Sequence, residues 1–207
     1  MVLRKKEFLL PKINLSLGFH RREGLIGFIS GLFLVLFLAI VLCANLQVES
    51  FQASSLYLED ALAASNLASA VIDPEEYGIS HVVKIVDPLA AYRLYCDAVK
   101  GNLGLNDRWE GSNQALISGP VTVESYIIYN VQGDGVTVHA VDSTGQLYSR
   151  QGLLGAVTAP NGQKVEYTGV YSEISFPVKG SFGMEVRARK GKLVDIVGSP
   201  EAVEIAE

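Results

Sequence analysis

Gly24-Leu25-Ile26-Gly27-Phe28-Ile29-Ser30-Gly31-Leu32-Phe33-Leu34-Val35-Leu36-Phe37-Leu38-Ala39-Ile40-Val41-Leu42 opens a run that reaches Val48 without one charged residue. The hydrocarbon core of a bilayer, about 30 Å thick, needs about 20 apolar residues in a helix, and this run supplies them. The 207-residue chain is 49% hydrophobic and only 19% charged, with mean hydropathy +0.26. That is too apolar for a disordered chain, and the excess is concentrated here. Setting aside residues 1–48 leaves 159 residues, enough for one domain with a real core. The reading divides the chain into a basic cytoplasmic segment (1–23), a transmembrane helix (24–46) and an extracytoplasmic α+β domain (47–207).

Charge is split about this span. Residues 1–23 carry Arg4, Lys5, Lys6, Lys12, Arg21 and Arg22 against Glu7 and Glu23. No Lys or Arg appears between Arg22 and Lys84. Cations before an apolar span and none soon after it place the N-terminal side in the cytoplasm. The outer part is acidic within a net charge of -5, which argues against nucleic acid as a partner. The expected partners are membrane lipid along residues 24–46 and other proteins of an envelope assembly.

A retained anchor fits better than a cleaved signal peptide, whose apolar region is shorter, on the order of 7–15 residues. Leu42 precedes Cys43, where a lipid-accepting cysteine follows a small residue, so Cys43 reads as an apolar residue of a membrane helix. Gly18-Phe19-His20-Arg21-Arg22-Glu23 has the outline of a prepilin processing site, with Gly18, Phe19 and Glu23 at the matching positions. The competing reading is a basic anchor at the membrane surface, because two arginines inside a bilayer cost several kcal/mol.

Beyond the span, Phe51 to Ile72 repeats apolar residues three and four apart and reads as a helix ended by Asp73-Pro74. Its small residues Ala61, Ala64, Ser65, Ala68 and Ser69 form a candidate interaction face, either against this chain's own sheet or against a neighbouring subunit. A second helix begins at Asp87-Pro88, an N-cap acid followed by proline in the first turn, and stops at Gly101 or Gly104. From Ala115 the period becomes two. Val121–Tyr129, Val136–Val141 and Gln146–Arg150 read as strands separated by Gln132–Gly135 and Asp142–Gly145 turns. Lys164–Val178 reads as one or two strands broken near Gly169. Met184–Arg189 and Lys192–Val197 read as a hairpin turning at Lys190-Gly191. Gly198–Glu207 reads as an acidic tail. Helices followed by an antiparallel meander make the class α+β.

No phosphate loop, nucleophile elbow, zinc-protease motif or paired-cysteine motif is present in the sequence. Cys43 and Cys96 imply no disulfide framework. His81 near Asp73, Glu75 and Glu76 reads as a solvated acidic turn ahead of a metal site. Asp134 and Asp142 read as turn residues, and Trp109 as a core plug. The expectation is no catalytic residue, no cofactor and no metal.

The short basic leader, Gly24–Leu42, the small-residue helix from Gln52 to Val71 and the closing antiparallel strands together resemble the TadE-like minor pilins of tight-adherence pilus systems. In those, a membrane helix leads through a small-residue helix into a short β-rich domain. This chain differs in having no acidic residue between Gly24 and Val48. The resemblance implies a pilin-like or pseudopilin-like, non-catalytic role in pilus or secretion-system assembly at the cell membrane of a bacterium. The alternative is a membrane-tethered extracytoplasmic module that binds a ligand or a protein. An envelope enzyme comes third, for want of any catalytic motif.

Overall fold

The computed structural model describes residues 17–111, 117–142, 144–179 and 185–196. Most of the basic leader and the acidic stretch 198–207 lie outside these residues. The chain divides into two units, residues 1–52 and 53–207. The fold is α+β, a long N-terminal helix followed by an antiparallel sheet.

Helix α1 runs without interruption over Leu17–Ser69. Every residue from Gly24 to Ala53 is exposed. The stretch Gly24–Ser69 contains a window of mean hydropathy 3.0 and is long and apolar enough to cross a membrane. Leucines and phenylalanines exposed on all sides of a helix match a lipid solvent, not water. The chain is therefore read as membrane-anchored through a single helix.

In the second unit α1 ends at Ser69, short of Asp73-Pro74. The Ser69 hydroxyl turns back onto the Asn66 carbonyl at 2.7 Å, and Ile72 leaves the helix to pair in a bridge with Ile85. A short helix, α2 (Pro74–Ser80), follows; the Asp73 carboxylate caps it by accepting from the Glu75 N–H at 2.9 Å. Helix α3 (Pro88–Leu103) starts where expected: Asp87 accepts from the N–H groups of Leu89 and Ala90, and Pro88 opens the first turn. It stops at Gly104, whose φ of 61° is the left-handed conformation glycine adopts without strain. Its buried residues, Ala91, Tyr95, Val99 and Leu103, recur at four-residue spacing along one side.

Five strands follow: β1 (Thr122–Gln132), β2 (Gly135–Asp142), β3 (Leu147–Leu153), β4 (Gly169–Lys179) and β5 (Glu185–Asp195). They form one sheet of order β3-β2-β1-β4-β5, and all four neighbouring pairs are antiparallel. Both faces are covered. Helices α1 and α3 pack on one face through Leu58, Leu62, Tyr95, Tyr126, Ile128 and Ile174. Val157, Ala159 and Val165 cover the other, over Tyr129, Val136 and Tyr171. A register shift between Val123 and Ser125 lets Val123 and Tyr126, three apart, reach the same core cluster.

Two sequence expectations change here. Lys164–Thr168 lies outside the strands, which begin again at Gly169. The hairpin expected at Lys190-Gly191 does not form. β5 runs straight through Gly191, in register with β4 from Gly169↔Asp195 to Lys179↔Glu185. Glycine is needed there because the Tyr171 ring lies across its backbone; a Cβ at 191 would meet the ring carbon that bears the hydroxyl at 2.9 Å.

Candidate interaction surface

The extramembrane half of α1 has two faces. Residues 58, 61, 62, 65, 66 and 69 are buried, whereas 53, 56, 57, 60, 64, 67 and 68 are exposed. Both sets follow helical three- and four-residue spacing, so each is a stripe. The five small residues singled out in the sequence are divided between them. Ala61, Ser65 and Ser69 face the core; Ala64 and Ala68 face outward.

The inward face is a seam of small and polar groups. Asn66 Nδ2 donates to the backbone carbonyls of Lys192 at 2.9 Å and Val170 at 3.3 Å, tying the helix to β5 and β4. The Tyr126 hydroxyl donates to Ser69 Oγ at 2.8 Å. Asn102 of α3 donates to Ser65 Oγ at 2.9 Å, and Ser65 in turn donates to the Ala61 carbonyl at 2.7 Å. Lys190 of β5 meets Glu59 in an ion pair and Ser55 Oγ at 2.9 Å. Small side chains at 61, 65 and 69 bring the helix close enough for these short bonds. Asn66 is the residue the sequence reading missed. An asparagine between apolar positions of a helix is its one signal, because a buried amide needs partners.

In the outward stripe Tyr57 donates its hydroxyl to the Asn102 carbonyl of α3 at 2.7 Å, and the apolar residues around it stay exposed. Leu56 is 62% exposed and Leu67 52%, with Val71, just past the helix, at 58%, and Asp60 is the stripe's one charge. At its end the stripe meets an open apolar groove of about 280 Å³, lined by Val71, Ile72, Val86, Ala90 and Leu94 with Asp73 and Asp87. Both aspartates are helix caps, which accounts for their presence beside apolar walls.

Gly18, Phe19 and Glu23 all lie in the first two turns of α1, inside the continuous helix. Elsewhere the titratable groups are explained by packing. Burial pushes the Tyr92 hydroxyl up to about 12, with Cys96 adding to the shift. Burial likewise raises the Cys96 thiol, the opposite of an activated nucleophile. His139 is half-buried on β2, its Nδ1 2.8 Å from Ser149 Oγ; burial first, and the Lys84 charge second, hold its pKa below the usual value. His81 is exposed and sets its ring edge against Tyr77. Trp109 is partly buried against the core with Lys100 Nζ 5.1 Å from its ring centre. Among the described residues, no three His, Cys, Asp or Glu side chains converge as a metal site would require.

No protein-family model, curated protein or solved structure matches the chain.

Proposed function

We propose that this protein is a single-pass, membrane-anchored structural subunit with its α+β domain outside the cytoplasm, a TadE-like or pseudopilin-like component of a bacterial pilus or secretion assembly without catalytic activity. The observation that carries this reading is the two-faced half of α1. The helix that supplies the membrane span continues into the domain, spends one stripe on its own sheet, and leaves the other exposed and mostly apolar, with Asp60 its one charge. Ala64 and Ala68 stand in that outer stripe, where small residues let a neighbouring helix approach closely. The six cations ahead of the span support the outward orientation.

The test uses the full chain in membranes. Ala64→Leu and Ala68→Leu should leave the melting temperature nearly unchanged and abolish chemical cross-linking to neighbouring subunits. Lost stability with unchanged cross-linking would remove the reading. A second reading, a tethered binding module, is favoured by the groove at Val71, Val86 and Leu94. It requires Leu94→Asp to abolish partner capture while Ala68→Leu has no effect.

A further inference from the structure

The sheet ends in two edge strands, and they are not alike. At the β5 edge every cation has an acceptor within the chain: Lys190 and Lys192 pair with Glu59, Arg189 with Glu173, and Arg187 bonds Ser175 and Thr122. Four cations on one strand blunt an edge, because a second strand of the same kind is repelled. At the β3 edge Arg150 has no carboxylate partner among the described residues. β3 has no proline and no other charge, and it exposes Leu147, Tyr148 and Leu153.

The backbone of that edge is ready to pair. The Asp142 N–H donates to the Gln146 carbonyl, and the Leu154 N–H to the Asp134 carbonyl. Alternation in an antiparallel ladder then turns the groups of Tyr148, Arg150 and Gly152 toward β2. Those of Leu147, Ser149 and Gln151 point away from the sheet. The register against β2 sets Tyr148 and Arg150 on one face, level with Ala140 and Val138, and Leu147 and Leu153 on the other.

We propose that the β3 strands of two copies of this chain pair antiparallel about a two-fold axis at Ser149, joining their sheets into one of ten strands, five from each copy. In this register Leu147 of each copy stands opposite Gln151 of the other, and Arg150 opposite Tyr148. A two-fold contact requires a strand complementary to itself, and β3 meets that condition: its one cation faces its one aromatic ring, twice. The pair falls at a non-hydrogen-bonded position, where side chains approach more closely, and a guanidinium is attracted to a tyrosine face. On the other face Leu147 and Leu153 of opposite copies become diagonal neighbours. An axis at Arg150 would set the two arginines against each other, and pairing β3 with another copy's β5 would set Arg150 against a strand of four cations. Main-chain bonds supply affinity and the alternating side chains specificity, as in other strand additions.

A pairing this short buries less surface than a stable dimer in dilute solution needs. Chains anchored in one membrane meet at high effective concentration, which lets a weak, self-complementary contact form. The strand pairing goes beyond the assembly reading above. It adds a closed, two-fold contact through the sheet to the contact through α1, and either can fail without the other. With both present, paired chains link onward through their α1 stripes.

The experiment uses full chains in membranes with Cys43 and Cys96 replaced by alanine, treated with a mild oxidant. About a two-fold axis only the residue on the axis meets itself within disulfide reach. Ser149→Cys chains should therefore form a disulfide-linked dimer, while Arg150→Cys, Gln151→Cys and Thr144→Cys chains, the last in the turn outside the paired stretch, should not. Gln151→Pro, which removes an N–H pointing away from β2, should abolish the Ser149→Cys disulfide and leave the melting temperature nearly unchanged. Should the proline unfold the domain, the position scan alone decides. A stronger disulfide at 150 or 151 than at 149, equal disulfides at 144 and 149, or a Ser149→Cys disulfide that survives the proline in a folded chain overturns the proposal. Ala68→Cys chains report the α1 contact separately. Ala68 cross-links with none at Ser149 overturn the strand pairing and leave the assembly reading intact. Ser149 cross-links with none at Ala68 support the pairing and overturn the α1 contact.

Discussion

The two faces of α1 between residues 53 and 69 both carry alanine and leucine, yet do opposite things. Leu62 is fully buried and Leu67, five residues on, is 52% exposed. Ala61 lies in the core and Ala64 in solvent. What separates the faces is the hydrogen-bonded seam of Ser65, Asn66 and Ser69, which fixes the rotation of the helix on the sheet. Composition alone does not say which side of a small-residue helix belongs to the fold; a buried polar residue that must find partners does.

The largest contrast should come from the two leucines. Leu62→Ala should destabilise the domain by about 2–5 kcal/mol through lost burial and the cavity left behind, whereas Leu67→Ala should stay within about 0.5 kcal/mol. Urea unfolding of the full chain in detergent measures both. Equal losses would mean that the outer stripe is covered within one chain. Next come the alanines: Ala61→Leu should overpack the seam and cost about 1–3 kcal/mol, and Ala64→Leu should cost nothing measurable. Asn66→Ala should then cost about 1–3 kcal/mol, because the Val170 and Lys192 carbonyls each lose a donor in the interior. If Asn66→Ala were neutral, the seam would not be what orients the helix.

The smallest effect lies away from the helix and serves as its control. His139 has its pKa held below the ordinary value by burial, so the unfolded chain binds the proton more readily. Its contribution to stability is therefore present above the unfolded pKa, about 6.5, and is lost as the pH falls below it. His139→Gln should flatten that part of the stability profile between pH 7.5 and 5, and should leave the difference between Leu62→Ala and Leu67→Ala unchanged.

Much of this fold is legible in the sequence. The apolar run ending at Val48, the Asp87-Pro88 start and Gly104 stop of α3, and the period-two strands β1 to β3 each carry a local signal with one physical meaning. The misread elements are those whose meaning is set at a distance. Lys190-Gly191 has the composition of a turn, but Gly191 is there to pass beneath Tyr171 on the neighbouring strand. The helix stops at Ser69, ahead of its proline, because Ser69 is held by Tyr126, 57 residues away. The candidate face was legible as a group of small residues, yet its division between core and surface depends on where the sheet docks, which no local pattern encodes.

Thiol labelling of Ala68→Cys, in a full chain with Cys43 and Cys96 replaced by alanine, tests most directly the claim that the outer stripe of α1 is a contact surface between subunits. Ala68 is exposed in the single chain, so a maleimide should react rapidly once the chains are dispersed in detergent. In intact membranes the account predicts labelling at least tenfold slower at Ala68→Cys, and unchanged at an exposed reference position such as Thr144→Cys. Equal rates in membranes and in detergent would contradict it.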